Sequence, residues 1–528
     1  MGDYLMKKSD FWISRGKYQE TETERVKIWL SGILCYDEGK YDIVEFSTKF
    51  LERNLDFNTI IGWYKIVIFN KEDSKWYFFG DNSNSQHFFY AKKTGDFSDS
   101  FLSLKNKMCV TPNYSAIYEL LGLGFTAGEN TVANEISRTD KDYYYIYDGT
   151  EITKESKNLK RLNELNYPLS IRDVIKPLTP QIKGKRIAAV CTGGTDSRAV
   201  ISALDSSGIE SQLVLTGHKD NPDIAPANQI SKELGVTLTI LNPDEKEPEW
   251  IKKGFVFTDG QYDPVLSYRH YLKAQWENTQ GIQYEFGGLA GEFYKNDFCQ
   301  PIRWFGKKLD SEFYYDTLLK PDLSSQTWVG VSVKKAEEDS YHQLMPVAQK
   351  TEKEHTLLEK GNSVGFDILA WKSGAITNGY SSVATKIDPL MDRQLCAFAS
   401  HDNWITHSMH QWQRKQVEKE CKRIAKIPTD LGYTCSMNPL LYTKDIIKKG
   451  IFYADRVFNR VRRGIGLGFK SKEERFWDND YYDARNTDIW RNAVEHCIKI
   501  GILNDECLDS NIPLTKTGWI IMLGMLFS

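Results

Sequence analysis

The chain has 528 residues, of which 41% are hydrophobic and 26% are charged, and this is the composition of a globular protein. One core rarely grows to this size, so at least two domains are expected. The formal net charge of −3 gives no sign of a polyanion partner, and no nucleic acid is expected among the main partners. No run reaches the ~18 apolar residues that a membrane helix needs, so no transmembrane segment is expected.

The nine cysteines are scattered, and none lies in a CxxC pair or in a Cys/His cluster with the spacing of a zinc site. The start of the chain lacks an apolar signal-peptide core. Together these features predict reduced thiols and a cytoplasmic location. The apolar tail at 519–528 is too short to span a membrane. We interpret it as the end of a buried helix, with peripheral membrane contact as the alternative.

The first part of the chain is rich in aromatic and β-branched residues, which favour strands. Strands are predicted at 62–70 and 75–82, a strand with its turn at 87–97, a helix at 114–123, and a late strand with its turn at 143–149. This pattern is typical of an α+β domain with layered antiparallel sheets, which we assign to residues 1–155. A charged connector at 154–166 marks the boundary.

Strands then alternate with helices. Strands are predicted at 186–191, 211–217 and 236–241, and helices between them at 196–208 and 222–235. This alternation predicts right-handed βαβ units and a parallel sheet. The rest is mainly helical, for example at 403–424 and 442–463. Residues 156–528 are therefore assigned to an α/β domain with a helical C-terminal region.

The segment CTGGTDSR follows the first parallel strand, where ligands bind in open α/β sheets. Gly193 and Gly194 would let the backbone approach a phosphate and would allow positive φ. Amides at the start of the next helix, near Ser197, favour an anion, and Thr192 adds a second hydroxyl. Asp196 does not suit an anion site by itself, so we expect it to hold Mg²⁺.

The spacing of this segment matches neither a Walker loop nor a GxGxxG turn. A glycine-rich βα turn with a serine cap is the structural alternative. However, the pattern [Ser/Thr]-Gly-Gly-x-Asp-Ser after an apolar strand resembles the pyrophosphate loop of the ATP pyrophosphatases. These enzymes activate a carboxyl or carbonyl group as an adenylate and release pyrophosphate.

Within that group the chain is similar to the asparagine synthetase family, which includes β-lactam synthetases and lasso-peptide cyclases. Three more segments carry the resemblance: NPDIAPANQISKELG at 221–235, FGGLAGEFY at 286–294, and KIDPLMDRQLCAFA at 386–399, with Asp392 at the family's acidic position. The segments at 62–70, 77–90 and 97–104 follow the strand order of the family's glutamine amidotransferase domain, and the segment at 119–131 continues that match.

The resemblance implies a degenerate Ntn amidotransferase-like first domain and an adenine nucleotide alpha hydrolase-like second domain. It implies ATP and Mg²⁺ as cofactors, with Asp196 and Glu292 as metal ligands. The residues that it places at the nucleotide are Thr192, Gly193, Gly194, Asp196, Ser197, Thr216 and Gly288.

The chain departs from the family in its first domain. The family's nucleophile is a cysteine exposed as the first residue, whereas Gly2 follows the initiator here and Cys35 is the first cysteine. The family's glutamine-binding segment has become GDNS at 80–83. We therefore expect no glutaminase activity.

The second departure lies in the acidic loop. Leu289 stands where the family has a Glu or Tyr base, and Glu292 stands at the magnesium position; a solvated acid capping a helix is the alternative for Glu292. The base then comes from elsewhere, with Tyr294 and Asp297 as candidates, or the amine arrives neutral, or no amide forms.

The family also supplies a lysine that stabilises the leaving pyrophosphate, since charge develops there in the transition state. We place Lys426 with Glu292 and Tyr294 in the candidate catalytic set. The sequence itself does not choose among the candidate cations Lys422, Lys426, Arg462, Arg463 and Lys470.

The stretch at 442–463 has helical periodicity, with an apolar face and a basic remainder. A packed helix with a solvated basic face is one interpretation. A surface for an anionic substrate, such as a sugar nucleotide, a lipid-linked glycan or a membrane lipid, is the other. The residues of the apolar face are Ile447, Ile451, Ala454, Phe458 and Val461.

The expected activity is that of an AMP-forming ligase, which adenylates a small-molecule, sugar-acid or peptide carboxylate and transfers it to an amine or ammonia. Polysaccharide or secondary-metabolite synthesis is the setting that the resemblance implies, and a homodimer is compatible with it. A non-catalytic, ATP-binding relic of the same scaffold is the alternative. A tRNA-modifying enzyme shares the loop, but the charge balance does not favour it.

Overall fold

The computed structural model describes residues 11–12, 15–299, 308–448, 450–451, 472–505 and 511–528. Within these ranges the chain forms three sheets. The strands, numbered in chain order, are β1 Phe11–Trp12, β2 Gln19–Glu22, β3 Val26–Cys35, β4 Ile61–Asn70, β5 Lys75–Gly80, β6 Phe89–Ala91, β7 Phe97–Ser98, β8 Ile136–Arg138, β9 Tyr143–Tyr147, β10 Ile152–Ser156, β11 Ile187–Val190, β12 Gln212–Thr216, β13 Leu238–Leu241, β14 Tyr284–Phe286 and β15 Thr385–Ile387.

Helices cover most of the remaining described chain. In order they are α1 Ile43–Leu51, α2 Phe101–Lys105, α3 Tyr114–Leu123, α4 Ile171–Ile175, α5 Thr179–Ile182, α6 Thr195–Ser206, α7 Ile224–Leu234, α8 Trp250–Phe257, α9 Pro264–Gln280, α10 Ser311–Tyr314, α11 Val331–Lys335, α12 Glu337–Gln349, α13 Leu357–Tyr380, α14 Arg393–His401, α15 Trp404–His407, α16 Gln411–Glu420, α17 Lys422–Ala425, α18 at 439–448 and 450–451, α19 Lys472–Arg485, α20 Asp488–Lys499 and α21 Thr517–Phe527.

The first part of the chain is layered, as its aromatic-rich strands predict. An antiparallel sheet in the order β10-β9-β5-β4-β3-β2 faces a smaller sheet in the order β1-β7-β6-β8. Aromatic side chains fill the space between them; Phe78 and Phe97 stack with ring centroids 4.1 Å apart. Helix α3 has its predicted bounds. The long strand β3 and helix α1 were not predicted, and β10 ends one residue beyond the boundary expected at 155.

The second part is built on a five-stranded sheet in the order β13-β12-β11-β14-β15, with every pair parallel. This confirms the predicted parallel sheet, and the predicted helices appear as α6 and α7. Gly208 and Gly235, at φ of 66° and 71°, follow their C-termini, because this left-handed conformation is easiest for glycine. Strand order reverses on either side of β11, which creates a crevice at the carboxyl ends of β11 and β14.

The C-terminal helices were expected to belong to the parallel-sheet domain, but they also pack against the first part of the chain. Trp519, Ile520 and Leu523 of α21 share one buried cluster with Ile117 and Leu120 of α3. The tail predicted as the end of a buried helix is therefore one. None of the helices within the described ranges is long and apolar enough to cross a membrane.

Two sequence expectations fail in the helical region. The continuous helix predicted at 403–424 is interrupted, because Met409 and His410 adopt left-handed φ values of 59° and 57° and the chain breaks again at Cys421. In α18, Ile447 and Ile451 lie exposed instead of packing into a core. The other members of the predicted apolar face, Ala454, Phe458 and Val461, lie outside the described residues, as do Arg462, Arg463 and Lys470.

Every described cysteine is a free thiol, which agrees with the expectation of reduced cysteines. Cys109 is exposed and the other seven are buried, while Cys507 lies outside the described residues. Cys35 is among the buried ones. Burial raises the pKa of its thiol to about 12, so it does not have the properties of a reactive nucleophile.

Candidate functional site

Two glycine-containing loops meet at the crevice between β11 and β14. The first is the predicted phosphate loop, which leads from β11 into α6, and the second is the acidic loop after β14. Gly288 lies so close to α6 that a Cβ there would stand 2.7 Å from the backbone nitrogen of Ser197. A Cβ at Gly291 would stand 2.1 Å from the carboxylate carbon of Asp196. Both glycines are therefore required for the two loops to touch.

The two glycines of the phosphate loop do not use positive φ, so that part of their expected role is wrong. Gly193 is needed for close packing instead: its N–H donates to Asp223 Oδ1 at 2.7 Å, and a Cβ would stand 3.1 Å from the backbone nitrogen of Asp430. At Gly194 a Cβ would meet only Thr192 Oγ1, at an ordinary 3.5 Å. The backbone beside Gly194 therefore faces free space.

Helix α6 begins at this loop without a side-chain cap on its first amides. Its opening turn therefore offers N–H groups and the positive end of the helix dipole to an anion. The hydroxyls of Thr192 and Ser197 share a 2.8 Å hydrogen bond, and Ser197 Oγ accepts from the Thr192 N–H at 3.2 Å. These two residues fix the shape of the loop.

Asp196 projects from the first turn of α6 and forms an ion pair with Lys295 of the acidic loop. Lys295 Nζ lies 2.5 Å from Asp196 Oδ2, and the two side chains are only 19% and 22% exposed. Burial disfavours the ammonium, but the charge and hydrogen bond of Asp196 outweigh it and raise the pKa of Lys295. Gln413 Nε2 donates to the other oxygen of Asp196 at 3.3 Å.

The expected pair of metal ligands is thus arranged differently. Asp196 is neutralised by Lys295, and within the described ranges no group of three or more His, Cys, Asp or Glu side chains is placed to hold a metal ion. Glu292 lies half-buried on a 3₁₀ turn of the same loop, and its charge contributes to the raised pKa of Lys295. Burial raises the pKa of the nearby Asp430 carboxyl, and the positive charge of Lys295 partly offsets that rise.

Thr216 ends β12, the strand beside β11, as expected for a residue at the nucleotide. Its hydroxyl is buried and has no hydrogen-bond partner in the described structure. A buried hydroxyl without a partner is rare and costly, so its presence at the carboxyl edge is consistent with a ligand there.

Tyr294 does not fit its candidate role as base. Its side chain is fully buried, its hydroxyl donates to the Leu390 carbonyl at 3.1 Å, and its ring stacks on Trp412 with centroids 4.4 Å apart. Burial raises its pKa well above 10, so the phenol stays protonated at neutral pH. Tyr294 packs the underside of the loop.

The other candidates lie at different places. Lys426 is exposed at the end of α17, and Asp297 is exposed beyond the acidic loop. Asp392 caps α14, accepting the N–H groups of Gln394 and Leu395 at 3.0 Å each. Leu289 uses its own N–H to donate to Asp388 at 3.3 Å.

Sequence reasoning missed three residues that build the site. Lys295 pairs with Asp196, and His410 shares a 3.1 Å hydrogen bond with Thr195 of α6. Arg198 is fully buried and donates to the carbonyls of Gly193 and Ile427, which joins the phosphate loop to the segment that carries Asp430. None of the three had a local sequence signal that pointed to this role.

Four of the twelve described non-glycine residues with left-handed φ lie around these loops. Ala290 and Asn296 bracket the acidic loop with left-handed φ values of 72° and 62°, and Met409 and His410 add two more on the opposite wall. Non-glycine residues adopt this conformation at a cost of about 1 kcal/mol or more each, and such strain clusters at functional sites.

In the first part of the chain, the segment GDNS at 80–83, which the resemblance aligns with a glutamine-binding motif, lies in a buried turn. Asp81 accepts the N–H groups of Ser83, Ser85 and Gln86, and Thr377 of α13 donates to the Ser85 carbonyl at 2.6 Å. All of residues 81–87 are buried. This turn is a packing surface for α13.

The described architecture is an α+β unit followed by an α/β unit with a parallel sheet and helices. No protein-family model matches the chain, and no curated protein matches it at a significant level.

Proposed function

We propose that this protein is an ATP-dependent, AMP-forming ligase that adenylates a carboxylate and passes it to an amine. One observation carries the proposal: two glycine-containing loops meet where the strand order of the parallel sheet reverses. They meet at the start of α6, which has no side-chain cap, and the Asp196–Lys295 ion pair joins them. This is the position and the chemistry of an anion site in an open α/β sheet. The resemblance of both loops to the asparagine synthetase family supports it.

The residues present fit a nucleotide. The free space beside Gly194 and the α6 amides suit phosphate oxygens, while the unpartnered hydroxyl of Thr216 suits a polar atom of the nucleoside. Thr192 and Ser197 hold the loop in shape, so their hydrogen bond contributes preorganisation. Lys295 is paired with Asp196 on the first turn of α6. We propose that Lys295 supplies the positive charge that the sequence analysis assigned to Lys426.

Asp196 is the carboxylate that would hold Mg²⁺, with Glu292 and Asp430 close enough to act on the same lysine. When bound, Mg²⁺ would neutralise phosphate charge during departure of pyrophosphate. Since Lys295 and Mg²⁺ would neutralise the same carboxylate, we propose that the ion pair would open when a metal is bound. A released Lys295 then carries a positive charge toward the phosphates.

In the reaction that we propose, a substrate carboxylate oxygen attacks the α-phosphorus and the bond to pyrophosphate breaks. The amine then attacks the acyl carbon, and AMP leaves. Leu289 and the buried Tyr294 cannot accept a proton, so we propose that the acceptor amine enters unprotonated.

A nucleotide-binding protein without ligase chemistry is the second candidate. It is favoured by one arrangement: Asp196 is occupied by Lys295, and the acidic loop presents no base at Leu289. The two candidates predict the same binding of ATP but differ in turnover.

Thermal unfolding with and without ATP and Mg²⁺ tests the shared step. A ligand that binds only the folded state at 100 times its Kd adds about 2.7 kcal/mol to the unfolding free energy. We expect wild type to gain stability, and Asp196→Ala to lose that gain. Gly194→Ala should fold normally, since its Cβ has room, yet fail to respond because the methyl group fills the phosphate space.

A response in wild type that Gly194→Ala retains would contradict phosphate binding at this loop. Exchange of labelled pyrophosphate into ATP, screened over carboxylates, then separates the candidates. Exchange with one carboxylate class identifies the ligase, and binding without exchange over the whole screen identifies the nucleotide-binding protein.

A further inference from the structure

Helix α18 has an exposed apolar stripe, which consists of Leu440, Ile447 and Ile451. Leu440, Ile447 and Ile451 are 83%, 59% and 65% exposed. Five of the thirteen exposed large hydrophobic side chains in the described chain fall within 431–451. Isolated exposed hydrophobic residues are ordinary, but a cluster of them marks an interaction surface.

The three residues of the stripe lie on the same side of the helix. The spacings of seven and four residues between its members return to the same side of a helix at about 100° per residue. The opposite side is anchored: Asp445 is buried, and it accepts from Arg414 Nη1 at 3.0 Å and from the hydroxyl of Thr434 at 2.9 Å. The protein therefore holds α18 in one rotation, with the stripe outward.

Basic side chains flank the stripe. Lys444 and Lys448 are exposed, and Lys448 also donates to the Gly432 carbonyl at 2.6 Å, which ties the helix to the preceding turn. The sequence from 439 to 463 carries seven Lys and Arg residues against two Asp, within a chain whose net charge is −3. Among the described residues, the exposed side chains of Lys444 and Lys448 therefore place positive charge beside the apolar stripe.

We propose that α18 docks this protein onto a membrane surface that contains anionic lipids. Leu440, Ile447 and Ile451 enter the boundary between headgroups and acyl chains, and Lys444 lies at the headgroups. Charge complementarity selects this occupant. A second copy would bring the same positive charge against it, and a nucleic acid would leave the apolar stripe without a partner. The proposal does not depend on the proposed ligase function.

Co-sedimentation of the full chain with vesicles tests the proposal. The vesicles contain phosphatidylcholine alone or phosphatidylcholine with about a third phosphatidylglycerol. We expect binding to the anionic vesicles only, and weaker binding at high salt, because the lipid charge is screened. The triple variant Leu440→Ser, Ile447→Ser, Ile451→Ser should reduce the partition coefficient at least about ten-fold.

Matched control variants distinguish binding through this stripe from non-specific hydrophobic binding. Val256→Ser with Val331→Ser changes two other exposed hydrophobic residues and should leave binding unchanged. Lys444→Glu should weaken binding at least about ten-fold, since it reverses one charge near the lipid surface, whereas Lys183→Glu at an exposed site elsewhere should have little effect. All of these positions are exposed, so the midpoint of thermal unfolding should stay near that of wild type.

Several outcomes would overturn the proposal. They are equal binding to neutral vesicles, no binding to either type, or equal losses in the control variants. A dimer in solution that the serine variants dissociate would assign the stripe to a second copy instead. Salt-sensitive RNA binding in the absence of vesicle binding would assign the basic residues to a polyanion.

Discussion

At the residue scale, the candidate site depends on one ion pair that joins two loops far apart in sequence. Asp196 and Lys295 neutralise each other in a mostly buried position, so each protects the other from an unpaired buried charge. Asp196 was foreseeable from the loop motif. Lys295 was not, since its role depends on the fold that brings the acidic loop onto α6.

We expect Lys295→Met to lower the unfolding free energy by about 2 kcal/mol, because Asp196 is left without its cation. A double-mutant cycle with Asp196→Asn should give a coupling energy of about 1–2 kcal/mol, measured by urea unfolding. Lys320→Met, at an exposed ion pair with Asp316, is the control and should change stability by less than about 0.5 kcal/mol. Additive effects of Asp196→Asn and Lys295→Met would contradict the pairing.

For activity, the same Lys295→Met variant should lower pyrophosphate exchange about 100-fold or more if Lys295 stabilises the leaving group. Lys426→Met should leave exchange near the wild-type rate, because Lys426 lies exposed at the end of α17. The reverse order of effects would return the role to Lys426, as the sequence analysis placed it.

At the scale of single elements, the structure gives Asp392 a helix-capping role. The resemblance placed it at an acidic family position, and the structure shows that it caps α14 from a buried site. Burial raises its pKa to about 6, whereas a carboxyl of an unfolded chain titrates near 4. The folded state therefore binds more protons than the unfolded state between about pH 4 and pH 6.

This difference predicts a pH dependence with a definite sign. Wild-type stability should fall as pH rises through that window, relative to Asp392→Asn, which caps a helix equally well and does not titrate. The difference between the two should change by up to about 3 kcal/mol from pH 4 to pH 7, measured by urea unfolding across the range. A constant difference would show that Asp392 does not titrate differently in the folded state.

The positions of several helices and strands could be predicted from local sequence signals. Helix α3 and the strand–helix alternation from β11 to β13 were predictable because hydrophobic periodicity and stop glycines are local. The break at Met409 and His410 was not predictable, since a left-handed backbone is uncommon for any residue other than glycine and no turn signal accompanies these two. Tertiary contacts, including the bond of His410 to Thr195, accompany that strain.

At the scale of the whole molecule, the two units share buried contacts, so neither is independent of the other. Lys141 of the first unit pairs with Asp367 of α13 at 2.7 Å, and Lys350 reaches the same carboxylate at 2.6 Å. Burial opposes the charge of Asp367, but the two lysines outweigh it and lower its pKa. The cluster of α21 with α3 adds an apolar contact between the same units.

We therefore expect Asp367→Ala to cost about 2–3 kcal/mol, because the buried ammonium of Lys141 keeps only Asp142, at 3.1 Å, as an ion-pair partner. Glu72→Ala, which breaks an exposed pair with Arg25, is the control and should cost less than about 1 kcal/mol. Calorimetry of both variants should still show one unfolding transition. Two separated transitions in wild type would contradict the shared interface.

The sequence by itself determined the order of the two units, the parallel sheet and the position of the glycine loop, because strand pattern, helix period and turn residues act over a few neighbouring positions. Tertiary structure alone decided that Lys295 pairs with Asp196, that Tyr294 points into the core, and that the last helices pack on the first unit. It also decided that Ile447 and Ile451 face outward. Each of these outcomes depends on which distant surfaces meet, and a periodic pattern identifies a face of a helix without identifying what covers it.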